Sequence, residues 1–111
     1  MITLRQLPGE NSAPRYAIYS GNLYAGNITT YRMDEDTLCY GILVCKSMRR
    51  QGIAGAALPL LMESLRARGI RRLVAKVDSG NTASLALHHA AGFTPVRSEN
   101  SDVCLFETHL L

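Results

Sequence analysis

The segment Arg49-Arg50-Gln51-Gly52-Ile53-Ala54-Gly55 joins two stretches of different periodicity. The stretch before it, Thr37 to Val44, is apolar on both faces towards its end, as a central β-strand would be. After it, apolar residues recur at helical spacing. A strand that feeds a helix through small residues leaves backbone N–H groups directed at one point, where the helix dipole and two arginines add positive charge. The segment therefore predicts a turn that cradles a pyrophosphate; a helix start of small residues that binds nothing is the alternative interpretation.

The helix that follows this segment has apolar residues at positions 54, 57, 58, 61 and 65. Pro59 lies within the pattern, and a proline inside a helix removes one hydrogen bond and collides with the carbonyl of the residue four positions earlier, here Gly55. We therefore expect a helix that either starts late, near Gly55, or is kinked there. Gly69 is predicted as its C-cap.

Alternating apolar residues and turn signals predict the remaining elements. The strands are Ile2–Leu7, Arg15–Ser20, Leu23–Arg32, Thr37–Val44, Arg72–Val77, Phe93–Arg97 and Val103–His109, with a loop at residues 9–14 and a polar turn at residues 99–102. Gly21-Asn22 suits a hairpin turn. A second helix is predicted at Thr82–Ala91, with Asn81 as N-cap and Gly92 as C-cap. The order β-βββ-α-β-α-ββ indicates an α+β domain: a mixed, mostly antiparallel sheet with two helices.

Length and composition predict a single domain over residues 1–111. A chain of 111 residues has no room for a second core, and 47% hydrophobic residues suffice for one. The longest uncharged apolar stretch, residues 52–62, falls short of the ~20 residues of a membrane-spanning helix, and the N-terminus lacks the apolar block of a signal peptide. We therefore predict no membrane partner. Three cysteines without CxxC spacing indicate neither a disulfide framework nor a zinc site, which favours a reducing cytoplasm.

The positive charge is clustered, with arginines at residues 49 and 50, 66 and 68, and 71 and 72. Such clustering attracts an anionic partner, although a solvated helix end would also carry it. No nucleic-acid recognition motif accompanies the charge, and a net charge of +3 is small for a protein that binds a phosphate backbone. We therefore predict a small phosphorylated ligand and no nucleic acid.

A second motif follows the first after one helix and one strand: Asn81-x-x-Ser84-x-x-Leu87-His88-x-x-x-Gly92-Phe93. Together with Arg49-x-x-Gly52-x-Ala54, it resembles the GNAT superfamily of acyl-CoA N-acetyltransferases, whose fingerprint is Gln/Arg-x-x-Gly-x-Gly/Ala. The resemblance covers Thr37 to Phe93, and the flanking strands agree in order. Each motif alone is moderately specific, whereas the pair in this order and spacing is much more so.

The resemblance implies a truncated GNAT-like fold that binds acetyl-CoA in a gap between the strands Thr37–Val44 and Arg72–Val77. The pantetheine arm would hydrogen-bond to the backbone of the first of these strands as an extra strand does. The cofactor-binding residues that it implies are Ile42, Leu43, Val44, Arg49, Arg50, Gln51, Gly52, Ile53, Ala54, Gly55 and Asn81. No metal is called for.

Two residues are candidates for catalysis. His88 occupies the helix position where many members of that superfamily place a tyrosine that protonates the departing thiolate. Its imidazole can donate such a proton or merely hold a backbone carbonyl. Tyr40, two residues before the pantetheine-binding run, can order the acceptor, relay a proton or pack in the core. His89 diverges from His88 by ~100° around the helix and is predicted at the surface.

Two departures from the superfamily pattern concern the acceptor site. Its members usually carry two helices between their first and second strands, where this chain has only Pro8 to Pro14. The acceptor side is therefore open or completed by another subunit. Many members also carry a glutamate base where this chain has Cys39, whose thiol is normally protonated near neutral pH. The turn Asp34-Glu35-Asp36 contains the carboxylates nearest the strand opening and can attract a cationic amine.

These observations predict an acetyl-CoA-dependent N-acetyltransferase that moves an acetyl group to a primary amine, of a small molecule or a protein, by direct attack on the thioester. A backbone N–H near Val44 would hold the oxyanion. The alternative is a non-catalytic acyl-CoA-binding or assembly module on the same fold, which the missing glutamate and helices favour.

The distribution of the tyrosines predicts a homodimer. Four of the five tyrosines of the chain lie between Arg15 and Arg32. The predicted interface comprises Tyr16, Ile18, Tyr19, Leu23, Tyr24, Ile28 and Tyr31. Tyrosine is enriched in interface cores. The alternative is that these side chains alternate between the core and a solvated face.

Overall fold

Seven strands and two α-helices form the part of the chain that the computed structural model describes, residues 1–9, 12–100 and 102–110, with residues 97–100 described as backbone alone. The strands are β1 (Ile2–Gln6), β2 (Arg15–Ser20), β3 (Leu23–Arg32), β4 (Thr37–Val44), β5 (Arg72–Asp78), β6 (Thr94–Asn100) and β7 (Val103–His109). The helices are α1 (Ile53–Ala67) and α2 (Thr82–Ala90), and a short 3-10 helix covers Lys46–Met48. Neither α-helix is long and apolar enough to cross a membrane.

The seven strands join one sheet in the order β1-β2-β3-β4-β5-β7-β6. Only β4 and β5 run parallel, because α1 carries the chain between them as a crossover; every other neighbouring pair is antiparallel. The mixed, mostly antiparallel sheet with two helices confirms the predicted fold class. The bounds of β2, β3, β4 and β7 agree with the sequence prediction to the residue.

The differences from the predicted bounds lie at element ends. β6 runs to Asn100, so the first two residues of the predicted polar turn at 99–102 belong to a strand. Ser101 of that turn, and residues 10 and 11 of the predicted loop at 9–14, lie outside the described residues. Gly69 and Gly92, which were predicted as C-caps, each follow the C-cap residue of their helix by one position and have φ of 84° and 89°. Arg68 and Ala91 occupy the cap positions.

The expectation that α1 starts late, near Gly55, is wrong. The helix begins at Ile53 and continues through Pro59 to Ala67. Pro59 is tolerated because it and Gly55 both face solvent, where water can satisfy the Gly55 carbonyl that a proline leaves without a donor. The buried face of α1 carries the predicted apolar stripe, and Ala57, Leu58, Leu61 and Leu65 are fully buried.

Both helices pack on the same face of the sheet, which we call the helical face. The hydroxyl of Tyr16 on β2 lies 2.8 Å from Oγ of Ser64 on α1, and the ring of His88 on α2 packs against Phe106 on β7. The strand registers place Ile28, Tyr40, Ala75 and Phe106 on this face. The opposite face, which we call the open face, receives no packing from these two helices.

The predicted tyrosine-rich interface divides between the two faces. Tyr16, Ile18 and Ile28 belong to the buried core on the helical face. Tyr24 and Tyr31 lie on the open face and are 47% and 59% exposed. Strand periodicity accounts for the division, since neighbouring residues of a strand point to opposite faces. The patch that remains exposed is therefore smaller than the sequence prediction.

The parallel strands β4 and β5 part before they end. Their last paired residues are Tyr40 and Ala75, whereas β4 continues to Val44 and β5 to Asp78. On the other side of β4, Gly26 of β3 lies opposite Val44, and a Cβ on Gly26 would stand 2.0 Å from the backbone oxygen of Leu43. Only glycine therefore allows this approach of β3 to β4. The end of β4 lies close to β3 where it has parted from β5.

Replacement of Gly26 tests this close approach. Gly26→Ala is expected to lower the free energy of unfolding by about 1–3 kcal/mol, because the added methyl group forces the two backbones apart. Gly41→Ala is the matched control in the neighbouring strand: a Cβ there meets no atom within 4 Å, and a change below about 0.5 kcal/mol is expected. Urea denaturation of both variants measures the difference, and equal stability would contradict the close approach.

Candidate active site

A pocket of about 680 Å³ lies along the end of β4 that has parted from β5, between the N-terminal ends of α1 and α2. Ten of the eleven predicted cofactor-binding residues line it: Ile42, Leu43, Val44, Arg49, Arg50, Gly52, Ile53, Ala54, Gly55 and Asn81. Gln51 is not among the lining residues. Met48, Ala83, Ser84 and Leu87 also line the pocket and were not predicted. Ser84 and Leu87 follow Asn81 at intervals of three residues, which places all three on one face of the helix. That spacing could have identified Ser84 and Leu87 as pocket residues from the sequence.

The wall that β4 contributes carries backbone donors without a strand partner. The N–H of Cys45 donates to the Ala25 carbonyl on β3 at 2.7 Å. Backbone groups alternate in direction along a strand, so the N–H groups of Ile42 and Val44 point to the side from which β5 has parted. The Val44 carbonyl, directed away from β3, accepts from Nε of Arg49 at 3.1 Å. Two backbone donors at strand spacing therefore face the pocket, as an extended arm with amide groups requires.

The turn before α1 presents a second set of donors. The N-cap is Gly52, which has no side chain to accept from the first turn, and the first helical hydrogen bond is from the Ala56 N–H to the Gly52 carbonyl. The N–H groups of Ile53, Ala54 and Gly55 therefore have no partner within the helix. These N–H groups form the positive end of the helix dipole, and the residues that carry them line the pocket.

Two backbone positions in this turn have left-handed conformations. Arg50 has φ of 64° and Gly52 has φ of 74°. The conformation is strained for an arginine, at a cost of about 1–3 kcal/mol. A Cβ on Gly52 would meet no protein atom within 4 Å, so the space in front of the helix end is open. The open space, the unpartnered N–H groups and the arginine charges together fit a pyrophosphate group.

Asn81 fixes the start of α2 beside the pocket. Its side-chain oxygen accepts from the Ser84 N–H at 3.0 Å, which confirms the predicted N-cap. The cap positions Ser84 and Leu87 along the pocket wall, and one turn after Ser84 the same helix face reaches His88.

The two candidate catalytic residues are in direct contact. The Tyr40 hydroxyl lies 2.6 Å from Nε2 of His88, and Nδ1 of His88 lies 2.7 Å from the Ser84 carbonyl. Both side chains are buried, and the rings of Phe93 and Phe106 surround the imidazole. Burial lowers the pKa of His88, an effect that the hydrogen bond to Ser84 opposes in part. Burial also raises the pKa of Tyr40 well above its usual range.

The other polar candidates lie away from the pocket. Cys39 is on the open face, because its neighbour Tyr40 is on the helical face. The turn at residues 34–36 precedes β4, at the opposite end of that strand from the pocket. It has the hydrogen bonding of a turn, since the Asp36 N–H donates to Oδ1 of Asp34 and holds the pKa of Asp34 below its usual value. His89 is exposed, as predicted.

Comparison with known proteins identifies the family of the chain. A family model described as "Acetyltransferase (GNAT) family" matches residues 4–93. The chain is 34% identical over 87 residues to the [ribosomal protein bS18]-alanine N-acetyltransferase of Escherichia coli strain K12. That match covers 75% of this chain and 58% of the relative, so the chain spans less than two thirds of the relative's length.

Two solved structures share the fold. The ribosomal-protein-S18-alanine N-acetyltransferase from Escherichia coli superposes with a TM-score of 0.84 at 18% identity, over 99% of this chain and 94% of that one. The structure of yncA from Salmonella typhimurium with its cofactor acetyl-CoA gives a TM-score of 0.80 at 20% identity, over 89% of this chain and 65% of that one. At these identities the superpositions establish the fold alone.

Substitution of Gly52 tests the anion site directly. Gly52→Glu is expected to weaken coenzyme A binding by about 100-fold or more, equivalent to about 2.8 kcal/mol, because a carboxylate would enter the space meant for a pyrophosphate. Gly69→Glu is the matched control at the other end of α1, since Gly69 also has a left-handed φ, of 84°, and open space around its Cβ. Calorimetric titration with coenzyme A gives both affinities. Unchanged affinity in Gly52→Glu would show that the phosphates bind elsewhere.

Proposed function

The chain belongs to the acetyltransferase (GNAT) family, and on this premise we propose that it is an acetyl-CoA-dependent N-acetyltransferase that acts on a primary amine. The observation that carries the proposal is the pocket along the end of β4, where the unpartnered N–H groups of β4 and α1 face the same space. Relatives that are named N-acetyltransferases support the reaction type.

Each part of the pocket has a distinct role in this proposal. Acetyl-CoA, when bound, supplies the acetyl group and a thiolate leaving group. The turn at residues 49–55 binds the phosphates, and the N–H groups of Ile42 and Val44 align the arm along β4. A β4 N–H beyond the last pair of the ladder, at Ile42 or Val44, is the donor for the developing oxyanion. Binding thus places the thioester for direct attack by an amine, without a covalent intermediate on the protein.

We propose a protein amine as the acceptor. The segment between β1 and β2, which in the superfamily usually forms two helices, is only residues 7–14 here, so the open face is accessible to a large substrate. The Escherichia coli relative is named for an alanine of ribosomal protein bS18, which is also a protein substrate. A small-molecule amine is the alternative acceptor.

A non-catalytic acyl-CoA-binding module is the second candidate function. One observation favours it: the residues described as lining the pocket include no aspartate or glutamate to serve as a general base. The position at which many family members have a glutamate is Cys39, on the open face.

We also propose a homodimer that forms through the β3 part of the open face and leaves the end of β4 free for the acceptor. Tyr24 and Tyr31 on β3 are 47% and 59% exposed. A group of exposed apolar side chains on one face is typical of an interface. We propose the cytoplasm as its location, where reducing conditions suit three cysteines that the structure describes without a disulfide.

An acceptor screen tests the proposed reaction. Thiol release from acetyl-CoA is expected with peptides that carry a free N-terminal alanine and not with the same peptides already acetylated, because only a free amine can attack. Free amino acids and polyamines are the small-molecule comparison, and faster turnover with them would refute the protein acceptor. If coenzyme A binds by calorimetry while no amine releases thiol, the binding module replaces the enzyme.

Sedimentation equilibrium at micromolar concentration tests the dimer. We expect the mass of two chains for the natural sequence and one chain for Tyr24→Lys combined with Tyr31→Lys, because two buried charges oppose association. Val96→Lys on β6 is the control. Val96 is 43% exposed, but β6 is an edge strand that three strands separate from β3. A single-chain mass for the natural sequence would exclude the dimer.

A further inference from the structure

The hydrogen bonds of His88 fix which of its ring nitrogens carries the proton. A backbone carbonyl can only accept, so Nδ1 of His88, 2.7 Å from the Ser84 carbonyl, must be protonated. In the neutral imidazole the other nitrogen is then an acceptor. The Tyr40 hydroxyl, 2.6 Å from Nε2, therefore donates its proton to His88.

This arrangement changes what each residue offers to a reaction. Neutral His88 has no proton on Nε2 to give, and its single N–H is already bonded to Ser84. Tyr40 donates to His88 and keeps lone pairs on its oxygen, which can accept a further hydrogen bond. The oxygen of Tyr40 is thus the atom through which this pair can exchange a proton with a substrate.

The pair is buried next to the inner end of the cofactor pocket, although neither ring is among the residues that line it. Tyr40 forms the last pair between β4 and β5, so the gap opens one residue after it. Ile42, two residues further on the same face, lines the pocket. From α2, Ser84 and Leu87 line the pocket, and they stand four residues and one residue before His88. An arm that follows β4 inwards from Val44 therefore ends beside Tyr40.

We propose that Tyr40 and His88 form a proton shuttle that serves both the attacking amine and the departing thiolate; the proposal rests on the acetyltransferase function. As the amine nitrogen bonds to the carbonyl carbon, its proton passes to the Tyr40 oxygen, and the Tyr40 hydroxyl proton passes to Nε2 of His88. As the C–S bond breaks, the proton returns from His88 to Tyr40, and the Tyr40 proton passes to sulfur. One proton moves from nitrogen to sulfur, and the pair regains its starting state.

The surroundings suit such a shuttle. Tyr40 loses and gains a proton together, so it never becomes a phenolate, whose charge its burial opposes. The positive charge rests for a moment on His88, where the Ser84 carbonyl faces the Nδ1 proton. Among the described groups around the imidazole, Tyr40 on β4 and His89 on α2 are titratable, while Phe93 and β7 residue Phe106 present only rings. A shuttle used twice also requires no carboxylate base.

Removal of one hydroxyl tests the proposal. Tyr40→Phe keeps the ring that packs against Phe93, and we expect kcat to fall about 100-fold, in the range of general acid–base catalysis. Tyr16→Phe is the matched control, because Tyr16 is also buried on the helical face and its hydroxyl bonds to Ser64. Tyr16→Phe should retain the natural kcat, and both variants should bind coenzyme A with unchanged affinity. Full turnover in Tyr40→Phe would overturn the shuttle while leaving the acetyltransferase function in place.

The pH profile separates a shuttle from a structural role. Protonated His88 cannot accept from Tyr40, so kcat/KM is expected to fall as the pH drops through the pKa of His88. Since burial lowers that pKa, the fall should occur below the ordinary histidine value of about 6.5. In Tyr40→Phe the residual activity should lack this acid limb. His88→Gln combined with Tyr40→Phe should be no slower than either variant alone, because the two residues act as a unit.

The histidine tautomer gives a readout that needs no turnover. Long-range ¹H–¹⁵N spectra of the natural protein with coenzyme A are expected to show His88 protonated on Nδ1 and unprotonated on Nε2. A proton on Nε2 would overturn the shuttle whatever the activity. Failure of every amine to release thiol, with coenzyme A bound, would instead refute the acetyltransferase function and the shuttle with it.

Discussion

The parting of β4 from β5 after Tyr40 and Ala75 is the constraint on which the rest of the site depends. A parallel pair that stayed joined would use the N–H groups of β4 within the sheet, and none would be left for a ligand. Gly26 on β3 leaves room for the backbone of Leu43, so the end of β4 lies close to β3 where it has parted from β5. The crossover from β4 to α1 then begins at once, so the free N–H groups of the strand and of the helix start face one pocket.

The charge of the pocket has consequences for the acceptor. Helix N-termini and two arginines give a positive potential, which suits phosphates and disfavours an ammonium ion. An amine therefore reaches the thioester more easily in its neutral form, and from the open face rather than along the phosphate-binding turn. Leu43 of β4 lines the pocket although its side chain lies on the open face. In the proposed reaction, cofactor and acceptor would therefore approach the end of β4 from opposite sides of the sheet.

Side-chain periodicity accounts for how much of the fold was predictable. Apolar patterns and turn signals located β2, β3 and β4 to the residue: β3 alternates between the two faces, and the apolar end of β4 indicated a strand within the sheet. The start of α1 was not predictable in this way, since the solvent exposure that makes Pro59 harmless depends on which face of the helix packs on the sheet. The division of the tyrosines between two faces likewise required the registers of the strands. Ten of the eleven residues predicted to bind a cofactor line one pocket, because consecutive residues of one turn necessarily share a location.

The contact between Tyr40 and His88 lay beyond what the sequence could show, since 48 residues separate them. Three independent features bring them together: the register of β4 against β5, the packing of α2 on the helical face, and the Asn81 cap that sets the rotation of α2. Many members of the superfamily that the chain resembles place a tyrosine on the helix at the His88 position, and histidine is also found there. Here the strand supplies the hydroxyl and the helix supplies the group that orients it, so a hydroxyl is still present where α2 meets β4. Tyr40 on β4 thus provides a hydroxyl beside the helix position that His88 occupies. The imidazole of His88 adds a proton acceptor of a kind that a tyrosine at the same position could not provide.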